Sequence, residues 1–422
     1  MAKQESVLIV GGGIIGIACA HYLRGAGLAV TVIDKGEFGR ACSYGNCGYV
    51  CPSHILPLTE PGAIETALKS VLNPRAPFRV KPQFRLSLWY WMLQFARRCR
   101  HENMLQAGEH LKSILDSSMI EYRQLVSDGG IQGEWKDSGL LYVLQTEKGM
   151  EAFAKTDAVL RQHFDTPAER IERKDLAEFE PALRSDLAGG YFYPEDAQVR
   201  PDKLTRHWIE KLKNDGVRFI SSCALQKVLR QGKGICSVLT SKGEMMADRY
   251  VFAMGAWSQR LGRELKCSIP IEPGKGYSIT MRRPDVCPKH SILFPEHKVG
   301  VTAFEEGYRL GSMMEFSGFD DSIAPRRIQQ LRDSAKPYLL EPYTEGLAEE
   351  WYGWRPMTWD SLPLIGQVPR LDNAYLATGH NMLGLSLAPA TGRLIKELIC
   401  GEPTHIPSDG FRPERMMSSA GS

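Results

Sequence analysis

The densest group of chemically capable residues lies near the C-terminus, in WYGWRPMTWDSLPLIG (351–366). Arg355 stands among Trp351, Trp354 and Trp359, and one acid, Asp360, follows before a run punctuated by Pro363 and Gly366. Aromatic walls desolvate a guanidinium, and a desolvated fork of N–H donors matches a carboxylate in bidentate fashion. The residues alone leave a second reading equally open, a structural ion pair between Arg355 and Asp360. Four more side chains are candidates for the same site. Tyr277 in GKGYS and His380 in TGHN are placed to hydrogen-bond a carboxylate or amine, with core packing the competing role for Tyr277 and a flavin contact for His380. Tyr308 and His54 are weaker candidates.

A second constellation opens the chain. The run Val7–Val10 is short, apolar and ended by glycines, as befits a strand buried on both faces of a parallel sheet. Gly11, Gly13 and Gly16 then fall as G-x-G-x-x-G, Ile14 to Arg24 has apolar residues at helical spacing, and a second apolar run, Leu28–Ile33, ends on Asp34. Each part has a use in binding a dinucleotide. Gly11 permits the tight turn, Gly13 lets the backbone approach a pyrophosphate, and Gly16 lets helix and strand pack closely. The N–H groups at Ile14 and Ile15 open the helix toward phosphate. Asp34, with Lys35 beside it, accepts hydrogen bonds from ribose hydroxyls. A glycine-rich turn without a ligand would not explain Asp34. The fingerprint does not separate FAD from NAD, but one N-terminal copy in a chain of 422 residues suits a tightly held flavin with a separate substrate domain.

Other elements position these groups. The stretch GEFGRACSYGNCGYVCPSH reads as an extended loop closing over a flat ligand, with Ser43, Gly45, Asn46 and Gly48 as donors. The turn Ala253–Ser258, with Gly255, Ala256 and Trp257, follows a strand on the dinucleotide side. The turn from Gly379 to Gly384, through His380, Met382 and Leu383, opens a helix whose N-terminus favours negative charge on a reduced flavin. Helices are expected across 84–125 and from Pro201–Asp202 to Gly216, and strands at 139–144, at 190–193 and repeatedly between Gly274 and Leu310.

Bulk properties narrow the class. Fifty-two basic against 49 acidic residues give a formal charge of +3, which argues against nucleic acid and for a small uncharged or zwitterionic ligand. Ten scattered cysteines and an N-terminus without a signal pattern suggest reduced thiols in the cytoplasm. Cys42, Cys47, Cys51 and His54 resemble metal spacing, but no second half-site follows, so no metal is expected. FRLSLWYWMLQFARRCR (84–100) is aromatic and then basic. Burial under the substrate domain or at a subunit contact is the expected role, and a peripheral seat on the inner face of the cytoplasmic membrane is the alternative.

Together, VLIVGGGIIGIACAHYL, VFAMGAWS, PGKGYSIT, GWRPMTWDSLPLIG and LATGHNMLGLSLAPATGRLI resemble the D-amino acid oxidase superfamily, and within it the bacterial D-amino acid dehydrogenases. The resemblance covers most of the chain in the family's order. It implies a mixed α/β and α+β fold: a GR2-type Rossmann domain for FAD (1–80, 196–268 and 350–422) and a substrate domain of mixed or antiparallel sheet plus helices (81–195 and 269–349). It also implies that Arg355 grips the substrate carboxylate, with Thr358, Asp360, Pro363 and Gly366 in the motif's places. The loop reads SYGNCGYV where covalent relatives often carry histidine, so noncovalent FAD is expected, with Cys47 the residue to watch. The implied reaction takes the α-hydrogen of a D-amino acid as hydride to flavin N5 and leaves an imino acid. The acceptor, oxygen or a quinone chain, is not encoded in a motif. A dehydrogenase of a cyclic secondary amine such as D-proline or hydroxy-D-proline, and a flavin-bearing subunit of a larger complex, stay open.

Overall fold

The computed structural model describes residues 4–65, 76–81, 83–128, 130–346 and 348–417. Its first layer is a six-stranded sheet in the order Leu364–Gln367, Ala374–Thr378, Arg249–Phe252, Ser6–Val10, Ala29–Ile33, Arg218–Ile220. Pairing is parallel except at the 364–367 edge. The central strand SVLIV has no exposed residue: Leu8 and Val10 share a core with Val228, Ile235 and Val238, and Val7 and Ile9 share one with the helices Ile14–Gly25 and Gly384–Cys400, which pack on each other. Close approach is possible there because Gly392 has no side chain: a Cβ would lie 2.6 Å from the Ala18 backbone. Pro201–Asn214 starts with proline in its first turn and ends before Gly216, whose φ is +90°. An antiparallel three-stranded sheet (Leu225–Gln231, Gly234–Thr240, Gly243–Met245) is appended.

The second layer is a nine-stranded mixed sheet. Its order runs Glu349–Met357, Glu272–Met281, Gly307–Phe316, Val299–Phe304, Ser291–Phe294, Leu140–Leu144, Gly189–Tyr193, Glu169–Glu172, and Phe78–Val80 joins beside Gly307–Phe316. Two expected boundaries therefore shift. Phe78–Val80 and residues 350–357, assigned from sequence to the dinucleotide part, hydrogen-bond into this sheet, so the strand carrying Arg355 is built into the second layer.

Alternation along these strands sorts the side chains onto two faces. Leu141, Ile292, Val301, Leu310, Ile279, Tyr277 and Tyr308 form one core under the helix Pro325–Ala335. The registers Gly274↔Arg355, Gly276↔Gly353, Ser278↔Trp351, Ser278↔Gly311, Thr280↔Arg309 and Leu293↔Tyr142 place the other set together on the opposite face. That face fronts the dinucleotide layer.

The expected helix across 84–125 is two helices, Leu86–Arg98 and His101–Ser127. On the first, Leu88 and Trp91 are buried while Leu86, Trp89, Tyr90 and Leu93, with Phe84 just before it, are exposed. Burial thus holds for one face only.

Candidate active site

Between the layers lies a cavity of about 1250 Å³. Its dinucleotide end is built around the first βα turn. Gly11 has φ +113°, and a Cβ on it would sit 2.4 Å from the Ala253 carbonyl oxygen. Gly16 has no room either, because a Cβ would lie 1.9 Å from the Gly11 oxygen. Gly13 is different: a Cβ there would meet nothing closer than Ala41 at 4.0 Å. Protein packing does not require that glycine, but a phosphate approaching the backbone does. Gly13 caps the helix without a side-chain hydrogen bond, and no acid stands in its first turn, so its leading N–H groups remain available to an anion.

Asp34 ends its strand at the cavity wall. Its carboxylate accepts the Gly12 amide at 2.7 Å and the Gly36 amide at 2.9 Å, and each oxygen keeps a lone pair for a ribose hydroxyl. Asp34→Ala is therefore expected to weaken FAD binding by roughly 1.5–3 kcal/mol. Titration of apoprotein with FAD measures this, and an unchanged affinity would mean the ribose is held elsewhere. Lys35 places its ammonium over the Trp257 ring at 3.5 Å.

Of the other expected cofactor residues, Ile14, Ile15, Ser43, Gly45, Asn46, Gly255, Ala256, His380, Met382, Leu383 and Gly384 line the cavity. Gly16, Gly48 and Gly379 do not; they serve packing. Gly48 (φ +84°) lies against Val199 and Gly379 (φ +76°) against Thr358. Cys223–Gln226 and Arg260 also line the cavity and were missed by sequence reasoning. Cys223 is brought there by the hydrogen bond its amide donates to the Asp34 carbonyl at 2.7 Å, a tertiary contact with no sequence signature. The helix Gly384–Cys400 begins at the cavity without a side-chain cap or an acid in its first turn.

His380 is buried. Its Nε2 lies 3.0 Å from Thr391 Oγ1, whose own proton goes to the Leu387 carbonyl at 2.8 Å. Nε2 must then be the donor, leaving Nδ1 unprotonated. Burial lowers its pKa to about 3, so the ring stays neutral at ordinary pH.

Arg355 enters the cavity from the sheet. Its guanidinium lies over Gly276, and Nη1–H donates to the Met313 carbonyl at 2.6 Å. That carbonyl is presented by an irregular stretch, Ser312 (φ 149°) and Met313 (φ 62°), opposite a register shift between Lys275 and Tyr277. Burial pulls the Arg355 pKa down, opposed only by the nearby thiols of Cys42 and Cys47. Asp360 does not compensate it. Asp360 is 2.8 Å from Arg415 Nε and accepts the Leu362 amide at 3.2 Å. Among the described residues no carboxylate pairs with Arg355, which removes the Arg355–Asp360 ion pair as a reading. A half-buried guanidinium that faces a cavity without a carboxylate partner is costly unless an anion arrives.

The aromatic surround is also narrower than the sequence suggests. Trp351 shares Arg355's face and packs on Gly45 and Gly353. Trp354 points the other way, into a cluster with Trp257, Phe319 and Tyr352, and Trp359 meets Tyr90.

Three candidate pocket residues are not brought to Arg355. Tyr277 contributes to the cavity wall, yet its hydroxyl donates to Glu315 at 3.0 Å on the reverse side; burial, then Glu315, raises its pKa. Tyr308 is buried on that reverse face and donates to the Pro342 carbonyl at 3.3 Å. His54 lines the cavity but pairs through Nε2 with the Tyr142 hydroxyl at 2.9 Å, five strands across the sheet from Arg355. Burial lowers its pKa to about 4. All ten cysteines are unpaired, and no His, Cys, Asp or Glu group among the described residues is placed to hold a metal.

The chain matches the DAO family model, described as FAD dependent oxidoreductase, over residues 6–398. It is 31% identical over 415 residues to a D-amino acid dehydrogenase of Bradyrhizobium diazoefficiens, covering 97% of this chain and 98% of that one. It shares its fold with glycine oxidase from Geobacillus kaustophilus (TM-score 0.76, 22% identity, 98% and 99% coverage). It also shares it with L-proline dehydrogenase from P. horikoshii (TM-score 0.74, 19% identity, 99% of each chain). With a family-model match over residues 6–398 and a 31% identical relative covered almost end to end, this protein belongs to the DAO family of FAD-dependent oxidoreductases.

Proposed function

We propose that the protein oxidises D-amino acids to imino acids. The observation that carries this is Arg355, a half-buried cation open to the cavity with no carboxylate opposite it among the described residues. The 31% identical relative named D-amino acid dehydrogenase supports the D-amino acid class. Gly13 and the uncapped helix Ile14–Gly25 would hold the diphosphate, Asp34 the ribose, and the helix Gly384–Cys400 would face the ring end. Bound FAD supplies the acceptor for the hydride that leaves Cα. The chain's own task is orientation. One Arg355 N–H is fixed by the Met313 carbonyl, so the remaining donors meet the substrate carboxylate in one direction, and Trp351 keeps water from the pair. The Tyr277 hydroxyl is committed to Glu315 and takes no proton from the substrate. A substrate amine arriving neutral needs no protein base.

FAD is held noncovalently in this reading, since Cys47 Sγ is directed onto Gly311 of the sheet. Acid precipitation should release the yellow colour. The test of function is anaerobic flavin bleaching over D- and L-amino acids, D-proline and hydroxy-D-prolines. Bleaching by D-amino acids is expected, and bleaching by L-enantiomers or cyclic amines alone would overturn the reading.

We further propose that the acceptor is met at a membrane surface. Phe84, Leu86, Trp89, Tyr90 and Leu93 form an exposed apolar strip followed by Arg97, Arg98 and Arg100. The same helix puts Trp91, Met92 and Phe95 on the cavity wall. No helix among the described residues is long and apolar enough to cross a membrane. Sedimentation with anionic phospholipid vesicles should pull down the protein, and Leu86→Ser with Trp89→Ser should release it. Equal sedimentation of the double variant would refute the contact.

A further inference from the structure

The loop Cys42–Gly48 is stitched to the sheet through its carbonyls. Arg309, buried on the strand Gly307–Phe316, donates Nη1–H to the carbonyls of Tyr44 (3.1 Å) and Asn46 (2.7 Å) and Nε–H to Thr280 Oγ1 (2.9 Å). Its nearest acid, Asp202, is 4.0 Å away and is engaged by Arg200 at 3.2 Å. Thr302 Oγ1–H takes the Cys47 carbonyl at 2.6 Å. A buried arginine spent on backbone oxygens rather than on a carboxylate calls for a reason beyond charge balance.

Peptide geometry supplies one. A trans peptide is planar, so the N–H that follows a carbonyl points in the opposite direction. With the Tyr44 and Asn46 carbonyls turned down to Arg309, the amides of Gly45 and Cys47 are turned up, away from the sheet. Both residues line the cavity, and neither amide has a protein acceptor among the described residues. The Gly48 amide, by contrast, is satisfied by Asn46 Oδ1 at 2.7 Å. The sheet side is already filled, by Trp351 against Gly45 and by Gly311 against Cys47 Sγ. Cys42 and Cys47 also stand beside Arg355, so the loop flanks the place where substrate and flavin must meet.

We propose that Arg309 is a positioning residue that aims the Gly45 and Cys47 amides into the cavity as a donor pair for the edge of the flavin ring that gains negative charge on reduction. The proposal rests on the FAD reading above. Prealigned amides are worth most where charge develops, because they need no reorganisation when it does. Without Arg309 the two peptides are free to rotate, and the donors lose their aim.

The test is the midpoint potential of the FAD-loaded protein. Arg309→Met should fall about tenfold in its preference for reduced over oxidised flavin, a shift of ~30 mV to more negative potential for a two-electron couple. Arg309→Lys, which keeps the charge and reaches one carbonyl, should shift less. A purely structural brace would lower thermal stability and leave the potential alone, so an unchanged potential in folded, FAD-loaded Arg309→Met overturns the proposal. Should the methionine variant fail to fold, the lysine variant decides: a negative shift supports the proposal and a native potential sinks it. Absence of FAD from the native protein would instead overturn the cofactor reading itself.

Discussion

Arg355→Lys is expected to depress flavin reduction by a D-amino acid about 100-fold while leaving FAD content unchanged. Lysine keeps the positive charge, so the substrate carboxylate is still attracted. What it loses is the planar fork. In the native site one prong is held by the Met313 carbonyl at 2.6 Å and the rest face the cavity, so the carboxylate is fixed in plane as well as in position. An ammonium on a flexible stem fixes neither, and the Cα–H direction is left to wander. Orientation of that kind is realised in the transition state, so the loss should appear in the limiting rate and not only in KM. Arg355→Ala should be worse, by about 3–5 kcal/mol in kcat/KM, because the substrate carboxylate is buried without a partner. Stopped-flow reduction under anaerobic conditions separates the two parameters. A near-native limiting rate in the lysine variant would remove Arg355 from the carboxylate. Since Asp360 is held by Arg415, neither substitution should cost the fold.

Much of this site was legible in the sequence, and the parts that were not share a cause. Gly11, Gly13, Gly16 and Asp34 could be read because the whole device spans one βαβ unit, where local spacing fixes geometry. Arg355 could be read as a carboxylate ligand only with the family motif, because the competing Asp360 pair is settled by Arg415, 55 residues away. Tyr277 and Tyr308 were misplaced for a different reason. Both lie on strands of the correct sheet, but a strand's two faces look alike in composition until its register is known, and a register shift sits beside Tyr277 itself. His54 follows the same loop as Asn46, yet the chain carries it to Tyr142 on a strand far across the sheet. Arg309 had no signal at all, since the two loop carbonyls it holds lie more than 260 residues earlier. The aromatic helix was half understood. Its period shows two faces, but only the packed structure shows that one is left without cover.

Gly276→Ala is expected to impair the substrate site while leaving the fold intact. A Cβ on Gly276 would fall 2.2 Å from Arg355 Nη1, 2.4 Å from Cζ and 2.6 Å from Nη2, distances no relaxed structure tolerates. Something must move. The Gly276 backbone is paired with Gly353 in a nine-stranded sheet and flanked by Lys275 and Tyr277, which pair on both sides, whereas the guanidinium ends a flexible side chain. The guanidinium therefore gives way, and leaving its seat breaks the bond to the Met313 carbonyl. Charge remains in the cavity, but at a different height and angle from the carboxylate. The expected result is native FAD content, a thermal midpoint close to native, and kcat/KM for D-amino acids lower by roughly 100-fold, the scale of a misplacement near 1 Å. Gly274→Ala supplies the control from the same strand and the same face, for its Cβ would meet Met314 Sδ at 2.5 Å and Met357 Cγ at 2.8 Å, and not the guanidinium. It should disturb packing with far less effect on turnover. Equal losses in the two variants, or native turnover in Gly276→Ala, would show that the glycine does not clear the floor for Arg355.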